Sequence, residues 1–207
     1  MDKNFEVTEK KYEELKYKYS HGLKKAVADI QNIADDFNNN SDREVIKEVS
    51  FRIKTLKSLR EKCNRKQLIP DAIEDIAGIK IVVLFEDDIE YISNTIDNAF
   101  FVKSEDNYLI RQKENGYRGI HKTIVVETTV HGRQMRLPIE VQIKTALMDA
   151  LWSMEHVVKY KNAHPDPKAG EIVKKAAESV AKLEQDMIKF RDYVPEETTD
   201  DNKKPAN

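Results

Sequence analysis

Apolar positions along the chain recur at two periods, and the switches between them mark out the elements. Tyr12, Leu15, Tyr19, Leu23, Val27, Ile30, Ile33 and Phe37 fall at steps of three and four. That spacing predicts one long amphipathic helix over residues 7–38. The run Asn38-Asn39-Asn40-Ser41-Asp42 ends it and offers caps for the next element. Phe51-Arg52-Ile53-Lys54 reads as a short strand with Arg52 and Lys54 on one face. A helical stretch bearing Lys57, Arg60, Lys62, Arg65 and Lys66 comes next. The apolar run Ile79 to Phe85 predicts a central strand buried on both faces. Residues 87–100 read as a helix carrying Ile89, Ile92, Ile96 and Ala99. Phe100-Phe101-Val102 is a short apolar piece, and a long polar loop extends from Asp106 to His121.

From His121 the period is two. His121 to Thr128 predicts a strand, His131-Gly132 a turn, and Arg136 to Ile143 the hairpin partner. In the partner, Leu137, Ile139, Val141 and Ile143 share a core face, while Arg136, Glu140, Gln142 and Lys144 share the other. A helix from Thr145 to about Lys161 presents Leu147, Leu151, Met154 and Val158, and Asn162 to Pro167 breaks it. A further helix over about 168–192 carries Ile172, Ala176, Val180, Leu183, Met187 and Phe190. The predicted fold is α+β (α/β), a mixed sheet of about five strands with helices packed on it. The expected division is an N-terminal helix over 1–42, a core over 43–161, a C-terminal helix over 162–194, and a disordered polar tail over 195–207.

Composition narrows the classes. The 207 residues hold 35 Lys+Arg against 37 Asp+Glu, a net charge of -2, which argues against a general nucleic-acid binder. A single cysteine, Cys63, excludes a disulfide framework and a cysteine-based zinc site. No apolar run is long enough for a membrane span, and Met1-Asp2-Lys3-Asn4 has no apolar signal region, so a cytoplasmic protein is expected.

Four places carry candidate chemistry, each with a plainer reading beside it. The Arg136, Glu140, Gln142, Lys144 face suits a charged ligand, or is a wet outer face. Arg52 and Lys54, with Lys62 and Arg65 three apart on one helix face, suit a polyphosphate, or form a solvated basic surface. Asp75, before the buried strand, sits where a metal ligand would, or caps a turn. Tyr117, beside Gly116 in the long loop, could stack on a base with Arg111 and Lys113 at phosphates, or simply packs. His156 has no second ligand at metal spacing and reads as structural or surface.

Five pieces occur in a distinctive order: Arg52-Ile53-Lys54, Asp75-Ile76-Ala77-Gly78-Ile79, Gly116-Tyr117-Arg118-Gly119-Ile120-His121, Glu140-Val141-Gln142-Ile143-Lys144-Thr145, and Trp152 with Glu155-His156. The set resembles the synthetase domain of the RelA/SpoT family and, in size, a stand-alone small alarmone synthetase. The resemblance covers about residues 45–161. It implies a pyrophosphokinase that moves the β,γ-pyrophosphate of ATP onto the 3′-hydroxyl of GDP or GTP, with GMP a further candidate, making ppGpp or pppGpp and AMP. It implies Mg²⁺ held by Asp75 and Glu140, with Glu140 also the general base. Arg52, Lys54, Lys62 and Arg65 match ATP-side cations. Tyr117 matches the residue that stacks on the acceptor guanine, and His121, Gln142, Lys113, Arg111 and Asp149 match acceptor-side positions.

The sequence also departs from the family pattern. Gly119 stands where Ser is common, Lys144 where Arg is common, and Asp149 where some members have Asn facing the base. The stretch Ile46 to Phe51 differs from the form associated with activation by pppGpp. The resemblance implies a homo-oligomer, a tetramer, and leaves RNA open as a regulator. No His-Asp dipeptide of the family's hydrolase domain is present, so synthesis without hydrolysis is expected. Two other readings stay open: a toxin-type relative making adenosine alarmones or pyrophosphorylating tRNA ends, and a non-catalytic nucleotide- or RNA-binding module.

Overall fold

The computed structural model describes residues 6–161 and 167–193. Of the helix break expected over 162–167, residues 162–166 lie outside the described residues and Pro167 begins the last helix; the tail expected to be disordered, 195–207, also lies outside them. Five strands form one mixed sheet in the order β1-β2-β5-β4-β3. They are β1 (Ile46–Ile53), β2 (Ala77–Val83), β3 (Phe101–Asn107), β4 (Ile120–Val130) and β5 (Arg133–Thr145). β5 is central, parallel to β2 and antiparallel to β4. The helices are α1 (Glu9–Asn39), α2 (Leu56–Lys66), α3 (Asp88–Ala99), α4 (Ala146–Lys161) and α5 (Pro167–Arg191).

Side-chain alternation sorts the sheet into two faces. Ile79, Ile81 and Val83 of β2, Leu137, Ile139, Val141 and Ile143 of β5, and Ile120, Ile124 and Val126 of β4 are buried in one core. α1 covers it with Leu15, Tyr19, Leu23, Ala26 and Ile30, and α3 with Ile89, Ile92 and Ile96. Thr8 caps α1 by accepting from the Lys11 amide at 3.2 Å. Where α1 crosses β5, Gly22 permits close approach: a Cβ there would lie 3.1 Å from Leu137 Cδ1. The other face, carrying Gly78, Lys80, Glu140 and Gln142, is left for the cleft.

Three elements differ from the sequence expectation. β1 begins at Ile46 rather than Phe51, pairing Ile46 with Val83. Its polar Lys47, Glu48 and Ser50 hid it from an apolar-alternation reading. β2 is not buried on both faces: Gly78 and Lys80 are half-exposed toward the cleft. β3 extends the short apolar piece at Phe101-Val102 through Lys103, Ser104 and Glu105 into Asp106 and Asn107, the first residues of the expected loop. Its sequence Phe-Val-Lys-Ser-Glu-Asp-Asn is mostly exposed at the sheet edge, where charge discourages further pairing and erases the strand signal.

Candidate functional site

Strand register places the polar residues together. Gly78 of β2 lies opposite Glu140 of β5 and Lys80 opposite Gln142, while Arg52 of β1 pairs with Gly78 and His121 of β4 with Gln142. These residues line or border a cleft of about 520 Å³ that also takes in Ser50, Phe51, Lys144, and Asp149, Trp152, Ser153 and His156 of α4.

On the β1–α2 side, Asp75 lies just before β2. Its Oδ2 accepts from Lys62 and lies 3.4 Å from the Lys54 ammonium. Lys62 is delivered by α2, whose start Thr55 caps by accepting from the Ser58 amide at 3.2 Å. The other oxygen, Asp75 Oδ1, is buried with no hydrogen-bond partner. A buried, unsatisfied carboxylate oxygen is costly unless something completes it. A hard divalent cation of the Mg²⁺ kind fits, because it takes one or two carboxylates and fills its remaining positions with water and phosphate. Among the described residues no three His, Cys, Asp or Glu side chains gather into a closed metal site.

At the centre, Glu140 Oε2 accepts from Gln142 Nε2 at 2.7 Å, and Oε1 lies 3.6 Å from His121 Nδ1. Burial pushes the Glu140 carboxyl up, but His121, Gln142 and the Lys54 charge outweigh it and hold it at about 2. It is therefore ionised throughout the working range.

On the β4 side is an aromatic group. Tyr117 is buried, its hydroxyl 2.6 Å from His121 Nε2. Burial first, then the charges of Glu140, Tyr108 and Asp149, raise the phenol above its ordinary value, so it keeps its proton. Tyr108 and Trp152 pack against Tyr117 at 5.7 and 5.2 Å between ring centroids. The Lys113 ammonium sits 4.0 Å from the Tyr108 centroid and 4.8 Å from that of Tyr117. Gly119, where the family often has Ser, has φ +147, and a Cβ there would meet the Ile143 carbonyl oxygen at 2.8 Å. The backbone itself requires glycine.

At the α4 end, Asp149 accepts from Lys80 at 2.7 Å on one oxygen and faces Lys144 at 3.0 Å on the other. Although burial alone would raise it, the two lysines lower its pKa.

Of the expected site residues, Arg52, Glu140, Gln142 and Asp149 line the cleft, while Lys54, Asp75 and Lys62 on one side and His121, Tyr117 and Lys113 on the other join it through contacts with one another and with Glu140. Arg65 and Arg111 are exposed, and neither enters the cleft's ion pairs. Sequence reasoning passes over Lys80 and Tyr108. A lone lysine inside the apolar run Ile79-Lys80-Ile81 is the available signal for the first. Nothing distinguishes Tyr108 from a loop tyrosine.

Comparison with known proteins bears on the family and the fold. Residues 51–165 match the family described as the region found in RelA / SpoT proteins. The chain is 26% identical over 196 residues to the GTP pyrophosphokinase YjbM of Bacillus subtilis, covering 92% of this chain and 93% of that one. It is 30% identical over 172 residues to the GTP pyrophosphokinase YwaC of the same organism, covering 78% and 81%. The small alarmone synthetase 1 of Bacillus subtilis, solved bound to its product pppGpp, superimposes with a TM-score of 0.83 at 27% identity, over 91% of this chain and 100% of that one. The chain belongs to the RelA/SpoT family, is homologous to its small alarmone synthetases, and is an enzyme of their class.

Proposed function

We propose that this enzyme transfers the β,γ-pyrophosphate of ATP to the 3′-hydroxyl of GDP or GTP, giving ppGpp or pppGpp and AMP, and does not hydrolyse the product. GMP is a third acceptor to test. The observation that carries the reading is the pair Asp75, just before β2, and Glu140 on the neighbouring β5, with an orphaned oxygen on the first, lysines on one side and the Tyr117 group on the other. A binding module has no need of such a pair. The activity in the relatives' names and the pppGpp bound to the solved relative support it.

The 3′-oxygen bonds to the β-phosphorus as the bond from that phosphorus to the α,β-bridging oxygen breaks, and AMP leaves. The 3′-hydroxyl proton passes to Glu140. A carboxylate held near 2 is a weak base, so it acts late, once bonding to phosphorus has made that proton acidic. Asp75 and Glu140 would hold Mg²⁺, which when bound neutralises charge on the phosphate oxygens. Arg52, Lys54 and Lys62 hold the donor phosphates, and Tyr117 the acceptor base, with Lys113, His121 and Gln142 around it. The exposed apolar residues Met154, Val157 and Val158 of α4 and Ile172 and Phe190 of α5 support a homo-oligomer through the flanking helices.

The test is one reaction: protein, Mg²⁺ and ATP with GMP, GDP or GTP separately, resolved by anion exchange. Equal amounts of AMP and a more highly charged guanosine nucleotide are expected, and are lost in Glu140→Ala. No product with any acceptor would overturn the reading, and release of pyrophosphate from added ppGpp in Mn²⁺ would overturn its synthetase-only part.

A further inference from the structure

The C-terminal helix carries a buried carboxyl group that the proposed transfer does not use. Glu184 of α5 is 3% exposed. Its Oε1 accepts the hydroxyl hydrogen of Thr145, and its Oε2 is buried without a hydrogen-bond partner. Thr145 ends β5, and its Oγ also accepts from the Met148 amide at 3.1 Å. One hydroxyl therefore caps the start of α4 and holds α5.

A second seam runs beside it. Arg118, next to Tyr117, pairs at 2.5 Å with Glu86 in the turn between β2 and α3, and Arg118 Nε is itself buried without a partner. Gln185 reaches the same Glu86 oxygen at 3.4 Å. Farther along α5, Arg191 grips both oxygens of Asp87 at 3.0 and 2.8 Å. Gly116 lies against α5 so closely that a Cβ would come within 2.6 Å of Ala177 Cβ. Ala177 clusters with Met148 and Leu151, and Trp152 packs on that cluster. α5 thus braces both the loop presenting Tyr117 and the helix presenting Asp149 and Trp152.

We propose that Glu184 is a positioning residue for the acceptor half of the cleft: its neutral carboxyl ties α5 to Thr145 and Glu86, and its ionisation loosens the Tyr117 loop. This rests on the pyrophosphokinase reading. Two carboxylates cannot hydrogen-bond without a hydrogen between them, and the protonated acid places one on the orphaned oxygen, facing Glu86. Burial is the main cause that pushes the Glu184 carboxyl up. Thr145 and Arg118 oppose it, the charge of Glu86 adds to it, and the result is about 7. The charged groups facing it are Glu86 and Arg118, with the Arg191–Asp87 pair beyond.

Trp152 is the chain's one tryptophan and reports on this seam. Its fluorescence is titrated over about two pH units either side of 7, together with the KM for acceptor and for ATP. His156→Gln is carried in every variant, so that the cleft imidazole one turn from Trp152 is absent throughout. With Glu184 present, a fluorescence transition near 7 and a severalfold rise of acceptor KM with pH are expected, while ATP KM stays flat. Glu184→Gln, which mimics the neutral acid, removes both and keeps the low-pH KM. Glu184→Ala raises acceptor KM at every pH. A transition or KM profile unchanged in Glu184→Gln overturns the proposal, as does an equal rise of both KM values in Glu184→Ala. If Glu184→Ala does not fold, Glu184→Gln alone decides. If no acceptor is used, the pyrophosphokinase reading fails, and the fluorescence arm still decides whether Glu184 titrates the seam.

Discussion

Lys113 occupies the ring that the proposed function assigns to the acceptor base. Its ammonium lies 4.0 Å from the Tyr108 centroid and 4.8 Å from the Tyr117 centroid. Each such contact is worth about 0.5–1 kcal/mol at a partly exposed site, so removing both forfeits about 1–2 kcal/mol. Base stacking on an aromatic ring is worth about 1–3 kcal/mol. The two are close enough that Lys113 is a placeholder the base displaces, rather than a block. Burial already lowers the Lys113 pKa against the opposing charges of Asp106 and Glu140, so a move toward phosphate relieves it. Lys113→Ala is therefore expected to tighten binding of guanosine, which has no phosphate, by about 5- to 30-fold, and to weaken binding of GTP. Calorimetric titration of both ligands against both proteins measures the ratio. Equal weakening of guanosine and GTP would refute the reasoning, since it would mean that Lys113 supports the ring instead of competing for it.

Three other residues give further tests. Glu140→Gln should cut kcat by about 100- to 10,000-fold while nucleotides still bind; retained turnover would remove Glu140 from the proton path. Because the Glu140 pKa falls from 4.5 to about 2 on folding, its stabilising effect is present above 4.5 and lost as pH drops toward 2. The acid limb of the Tm curve should be shallower in Glu140→Gln, and an unchanged limb would contradict the shift. Lys122 is fully buried on the core face, its ammonium between Asp97 at 2.6 Å and Glu105. Both carboxylates reach solvent, so Lys122→Met should stay within about 1 kcal/mol in urea unfolding, whereas Lys122→Ala should cost about 2–5 kcal/mol through its cavity; a methionine as damaging as alanine would show that the ion pairs matter more than the volume. Gly170 of α5 is exposed, and a Cβ there would meet nothing within 4 Å, so Gly170→Ala should stabilise by about 0.5–1 kcal/mol, and a lower Tm would contradict that.

How legible each element is in the sequence depends on where its signal comes from. The α1 stripe and the β4–β5 hairpin are readable because one face of each meets a single core, and burial writes its period into the residues. β3 is not readable, because an edge strand carrying Lys103, Glu105 and Asp106 obeys solvent rather than core. Asp75 and Glu140 can be named from their ordered motifs, but the parallel pairing of β2 with β5, which sets Gly78 opposite Glu140 and brings the residue before β2 toward the cleft, is set by register, and no local pattern records it. Base stacking on Tyr117 is expected from its place in the motif, and the structure adds that Lys113 covers the ring. Glu184 is invisible as chemistry: a glutamate on a charged helix reads as solvated until Thr145 and Glu86 are seen against it.

The cleft's charge arrangement bears on how the acceptor base is recognised. Asp75 holds two lysines on one oxygen and leaves the other free, while Asp149 spends both oxygens on Lys80 and Lys144. The first can therefore complete a cation's shell without losing its lysines, and the second cannot. Asp149 is better suited to hold cations in place for incoming phosphate. To accept from guanine N1 and N2 it would have to surrender a lysine, and that exchange is favourable only when the freed ammonium finds a phosphate oxygen. Burial, with like charge from Lys80 and Arg52, already weakens the charged form of Lys144 despite Asp149, so a second anion nearby stabilises it. On the proposed function, base recognition through Asp149 would therefore be coupled to the number of phosphates the acceptor brings, and a nucleoside lacking them should gain little from that carboxylate.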